Sequence, residues 1–195
     1  LFLVVSCTFS EGLSLDEVLK VSNTTFEFDK SATSQTLEIE SYISWEASTD
    51  AEWIGISPKL GMSGVTTMIL TVYENTSVES RSSVIKIVNS EYGIEQEILV
   101  TQSESVPELK VNREKIEDIS FDGSTEQITI ESNISWEAST DAEWIGISPT
   151  SGMSGVTTMT LTVNKNTSVE SRSSVIRIVN SEYNIEQEIL VTQSE

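Results

Sequence analysis

The chain has 195 residues, with 31 acidic and 11 basic side chains, no histidine and a single cysteine, for a formal net charge of −20. A field of that sign disfavours nucleic acid and anionic membranes as partners. The lack of histidine removes imidazole metal ligation, the commonest general base and the serine triad.

The first residues read LFLVVSC. An apolar run ending in a small residue and then cysteine resembles a bacterial lipobox, in which the cysteine is lipidated and becomes the mature N-terminus. The expectation is a truncated lipoprotein signal peptide over 1–6, lipidation at Cys7, and a tether over 8–20. Membrane attachment would then run only through that lipid. The protein would sit in the cell envelope as an outer-membrane lipoprotein, facing either the periplasm or the outside. After this opening, apolar residues are too interrupted for a transmembrane span.

The dominant feature is a repeat. Ser44–Glu104 aligns without a gap on Ser135–Glu195, 91 positions later, with 7 differences in 61 positions: Lys59/Thr150, Leu60/Ser151, Ile69/Thr160, Tyr73/Asn164, Glu74/Lys165, Lys86/Arg177 and Gly93/Asn184. Upstream the copies share only a pattern: VSNTTFEFDKSATSQT and VNREKIEDISFDGSTEQ differ by one residue in length. Such a period is too long for a solenoid unit and suits a complete small domain with its own core. The organisation expected is a leader over 1–20, one domain over 21–104, a linker over 105–110 and a second domain over 111–195. The first domain carries 13 acids and 4 bases and the second 14 and 5, a net −9 each, so the charge is not a disordered acidic tail. TQSE continues into a linker after the first copy and ends the chain after the second, so the natural protein is expected to continue.

Taken in order, each copy offers short stretches of period two. TLEIES places Leu37 and Ile39 on one face, and YISWEAS places Ile43, Trp45 and Ala47 together. EWIGISP offers Ile54 and Ile56, TTMILTV offers Met68, Leu70 and Val72, SVIKIVN offers Ile85 and Ile87, and IEQEILVTQ offers Ile94, Ile98 and Val100. Alternation with β-branched enrichment is the strand signal. Ser57-Pro58, Gly61, Gly64, Asn75-Thr76 and Asn89-Ser90 mark the turns between. About seven short strands in roughly 90 residues predict an all-β protein of two tandem immunoglobulin-like β-sandwiches.

The order Trp45, then Trp53-Ile-Gly-Ile-Ser-Pro58, Gly61, Asn75, Arg81 and the closing Val100-Thr-Gln102 resembles the BACON domain, a module of Bacteroidetes surface and secreted proteins. The second copy matches at Trp136, Trp144–Pro149, Gly152, Asn166, Arg172 and Gln193. The resemblance implies a seven-stranded sandwich, often beside glycoside hydrolase domains, and a role in binding carbohydrate, including mucin glycans. Some members look like spacers.

Nothing in the pattern supplies catalysis, a cofactor or a metal site. Asp50 and Glu52, with Asp141 and Glu143, sit two apart in a loop beside no obvious cleft, and no D-x-D-x-D-G run offers calcium its ligands. Sugar binding needs an aromatic face and hydroxyl-bonding groups. Trp45 shares a face with Ile43 and Ala47 and reads as core. Trp53 alternates against Ile54 and Ile56, so it points outward or to an edge, beside Asp50. Trp53 and Asp50, with Trp144 and Asp141, are therefore the candidate ligand residues. Arg81 and Gln102 are expected to bond backbone at strand ends. The functional expectation is a monomeric, non-catalytic module binding neutral glycans or mucin. The alternative is a spacer holding a catalytic or binding domain away from the membrane.

Overall fold

A computed structural model describes residues 18–195, so Cys7 lies outside the described residues. The chain divides into two compact units, one ending at Ser105 and one running from Val106 to Glu195. Every regular element among the described residues is a strand.

The first unit comprises β1 (Leu19–Val21), β2 (Thr25–Phe28), β3 (Thr33–Ser41), β4 (Trp45–Ser48), β5 (Ile54–Ser57), β6 (Leu60–Gly61), β7 (Gly64–Val72), β8 (Arg81–Asn89) and β9 (Ile94–Gln102). They form a four-stranded sheet, β1-β3-β7-β5, and a five-stranded sheet, β2-β9-β8-β4-β6. Period-two alternation decides what lies between the sheets. Leu37, Ile39, Met68, Leu70, Ile85, Ile87, Ile98 and Val100 are all buried, while Thr67 and Ile69 point out. Burial of each such aliphatic side chain contributes roughly 1.5–3 kcal/mol, and these side chains make up the core.

Nine strands appear where the sequence suggested about seven. The N-terminal strand breaks in two: β1 pairs antiparallel with β3, whereas β2 crosses to the other sheet and runs parallel to β9. The break is at Asn23, whose side chain turns the chain by donating to the Thr25 carbonyl (2.6 Å) and accepting from the Thr25 amide (3.3 Å). The other extra element is β6, two residues paired onto the edge of β4.

The second unit repeats this arrangement: β10 (Leu109–Val111), β11 (Lys115–Ile119), β12 (Ser124–Ser132), β13 (Trp136–Thr140), β14 (Ile145–Ser148), β15 (Ser151–Gly152), β16 (Gly155–Val163), β17 (Arg172–Asn180) and β18 (Ile185–Gln193). Its sheets are β10-β12-β16-β14 and β11-β18-β17-β13-β15. Its one extra upstream residue is absorbed as a bulge. Ile116 pairs with Val191 and Ile119 with Gln193, so the register slips between them, and Asp118 takes the left-handed backbone at φ 60°. In the first unit the matching pairs, Phe26 with Val100 and Phe28 with Gln102, are in step.

Candidate functional site

The candidate residue Trp53 sits just before β5, half-buried against the core. Its carbonyl accepts from the Tyr73 amide at the end of β7 (3.0 Å). Arg81, the first residue of β8 in the opposite sheet, lays its guanidinium over the indole at 4.6 Å from the ring centre. That guanidinium donates through Nε to Gln102 Oε1 (2.9 Å) and through Nη2 to the Tyr73 carbonyl (2.7 Å). Gln102 is 1% exposed, and its Nε2 donates to the carbonyls of Tyr73 (3.1 Å) and Lys30 (3.2 Å). Buried Asn75 continues the network, donating to the carbonyls of Glu79 and Ser103 (2.9 Å each). Partial burial lowers the Arg81 guanidinium from its ordinary value, but it stays cationic at neutral pH. Planar stacking together with a forked hydrogen bond is a combination that lysine cannot reproduce.

The second unit builds the same cluster. Arg172 lies 4.3 Å over Trp144 and donates to Gln193 Oε1 (2.8 Å) and the Asn164 carbonyl (2.8 Å). Gln193 and Asn166 again bond loop carbonyls. Arg81 and Gln102 thus bond backbone at strand ends, as read from the sequence. They also bond each other, which the sequence did not suggest.

This arrangement ties the two sheets together at one end of each sandwich. It also occupies one face of each candidate indole with a guanidinium. Asp50 and Asp141 are exposed, each in the loop preceding its tryptophan. The turn beside Asp50 is held by the Ala51 amide donating to Thr49 Oγ1 (3.3 Å) and the Ile54 amide donating to the Ala51 carbonyl (3.1 Å). The loop end can therefore offer a ligand a carboxylate and the uncovered part of an indole.

The other end of each sandwich holds Trp45, 3% exposed, as its place among apolar neighbours predicts. Its Nε1 is buried without a protein acceptor, as is that of Trp136. An unpaired buried donor costs about 1–3 kcal/mol. Gly61 of β6 pairs with Trp45 and lies against that edge of the indole: a Cβ on Gly61 would stand 2.5 Å from Nε1, and one on Gly152 would stand 2.7 Å from Nε1 of Trp136. Beside them is a surface groove of about 420 Å³ in the first unit and 530 Å³ in the second. Its lining includes Glu46, Met62 and Glu91, repeated as Glu137, Met153 and Glu182. Sequence reasoning passed over this groove because Met62 and Glu91 belong to turns far apart in the chain, with no periodic pattern to single them out.

Among the described residues, no three acidic or cysteine side chains come together as a metal site. The family model described as the viral BACON domain matches residues 18–105 and again 108–194. The chain belongs to that family. Its two units are BACON domains in tandem; of the residues that carried the resemblance, Trp53, Asn75, Arg81 and Gln102 close one end of the sandwich, and Trp45 and Gly61 meet at the other. Among solved structures, the chain is similar to the Bacteroides ovatus GH5 xyloglucanase in complex with a XXXG heptasaccharide, at 25% identity and a TM-score of 0.42, over 52% of this chain and 21% of that one. It therefore spans about a fifth of the xyloglucanase's length. It is also similar to the titin domains z1z2 in complex with telethonin, at 13% identity and a TM-score of 0.41, over 90% and 95% of the two chains. A protein from Bacteroides thetaiotaomicron is 15% identical over 51% of this chain and 98% of its own, with a TM-score of 0.35. No curated protein matches the chain.

Proposed function

We propose that the tandem BACON domains form a non-catalytic carbohydrate-binding module that takes neutral glycans, mucin among them. The observation that carries this reading is the match of both halves to one BACON family. The charge supports neutral ligands, since sialylated or sulfated chains would meet a net −9 on each domain. A shallow surface site that offers a few hydrogen bonds of ~1 kcal/mol each and one apolar or aromatic contact of ~1 kcal/mol gives a dissociation constant roughly in the millimolar range per site. Two tethered copies then gain on a polymer by avidity, provided both reach one chain. The full chain should be retained on a panel of neutral polysaccharides and mucin at low and moderate salt. Lack of retention on every glycan would refute the reading.

A second reading, a structural spacer, is favoured by a specific observation: Trp53, Arg81 and Gln102 are engaged in closing the fold. It predicts no retention and unaltered behaviour in Asp50→Ala/Asp141→Ala.

For location, we propose attachment to the cell envelope through lipid on Cys7, supported by LVVSC. Expressed with a complete signal peptide, an anchored protein takes up labelled fatty acid and fractionates with membranes, and Cys7→Ala releases it. Unlabelled, soluble wild-type protein would rule the anchor out.

A further inference from the structure

We propose that the groove beside Trp45 is the saccharide subsite of each BACON domain, taking one neutral sugar ring whose C–H face rests on Met62 and whose hydroxyls donate to Glu46 and Glu91. The proposal rests on the carbohydrate-binding reading above and gives it a location at the end of the sandwich away from Trp53. The two ends are set apart by β8, which begins at Arg81 and finishes at Asn89, roughly 25 Å along an extended strand.

Four observations converge here. The grooves, about 420 and 530 Å³, fall within the ~300–1,000 Å³ of small-ligand clefts. Their lining combines an apolar surface, the 75%-exposed Met62, with acceptor carboxylates, and a sugar presents the complementary pair of an apolar face and hydroxyl donors. The walls are pre-set: Asn89 donates to the Ser44 carbonyl (2.7 Å) and accepts from the Tyr92 amide (2.9 Å), fixing the β8–β9 turn against the start of β4. Asn180 repeats both bonds at 2.8 Å. Beneath Gly61 lies the Trp45 N–H, nine-tenths and more buried and lacking a protein acceptor. Gly61 belongs to an edge strand of two residues, so a small shift of β6 brings a ligand hydroxyl within reach of that donor.

Other ligand classes fit less well. An anion meets two carboxylates in each groove. A cation finds no third acidic ligand among the described residues. The duplicated groove keeps Glu46, Met62 and Glu91 as Glu137, Met153 and Glu182, while Leu60 becomes Ser151, so the ligand contact is assigned to the three shared side chains.

The test uses the full chain, labelled with nitrogen-15 and titrated with cellohexaose, mannohexaose and an N-acetyllactosamine hexasaccharide. The indole N–H signals of Trp45 and Trp136 should move, while those of Trp53 and Trp144 stay. Met62→Ser/Met153→Ser and Glu91→Ala/Glu182→Ala change exposed side chains, so the fold is kept and affinity should fall at least fivefold in each. Glycan binding that these folded variants leave unchanged, or signal shifts confined to Trp53 and Trp144, would overturn the groove and leave the carbohydrate reading standing. No binding of any probe, by titration or on the polysaccharide panel, would overturn both. Displacement of bound sugar by a lysine-rich peptide at low salt, with the same indole shifts and tighter binding than any sugar, would reassign the groove to basic peptide and refute the proposal.

Discussion

Gln102→Ala tests whether the end cluster holds the sandwich closed. The substitution deletes an amide that is 1% exposed and leaves four neighbours short of a bond. Arg81 Nε loses its acceptor, and the carbonyls of Lys30, Ser31 and Tyr73 lose a donor. A bond to a charged group contributes about 1.5–3 kcal/mol and a neutral one about 1. With the small cavity left behind, the expected loss is about 3–5 kcal/mol, a large share of the ~5–15 kcal/mol that stabilises a domain. The second domain, intact at Gln193, serves as an internal reference. With a urea slope of about 1.5 kcal/mol per molar, the first domain's midpoint should fall by roughly 2–3 M. The full chain should then unfold in two steps, and hydrogen exchange read by mass spectrometry should assign the early step to peptides from 18–105. Gln102→Glu sharpens the test. It gives Arg81 a charged acceptor but turns an oxygen toward the Lys30 and Tyr73 carbonyls, so it too should destabilise, by more than ~1 kcal/mol. Unfolding of Gln102→Ala within ~0.5 kcal/mol of wild type would refute the account of the cluster.

Arg81→Lys loses the fork and the stacked plane together and should lower the first domain's stability by about 1–2 kcal/mol in the same urea assay. Gly61→Ala drives a Cβ into the Trp45 indole, whereas Gly55→Ala meets nothing nearer than 3.6 Å. The first should cost about 1–3 kcal/mol or more and quench the native tryptophan signal, and the second should change stability by less than ~1. Gly93 has φ 66° in the β8–β9 turn, where the second copy has Asn184 at φ 53°. Gly93→Asn should therefore be near neutral and Gly93→Val should cost about 1–2 kcal/mol by thermal unfolding, because a β-branched residue resists the left-handed region.

The sequence by itself determined the number of domains, the strand class and the core. Successive side chains on a strand point to opposite faces, so LEIES or MILTV states which residues face inward without reference to anything distant. That is why Trp45, Leu37 and Ile87 could be assigned to the interior from neighbours alone. The family resemblance was legible too, since it rests on residue types in order. Only the tertiary structure decided what those residues do. Trp53 and Arg81 lie 28 positions apart on different sheets, and nothing in the local pattern of either predicts that a guanidinium will cover the indole. Gly61 reads as a turn and is also the residue lying against the edge of Trp45. The extra residue upstream of the second domain was countable in the sequence. Its absorption at Asp118 was not, because the flanking pairs with β18 are fixed by register and the surplus must leave the ladder between them. Alternation records local burial. Contacts across the two sheets depend on which strands become neighbours, and that is settled only when the sandwich closes.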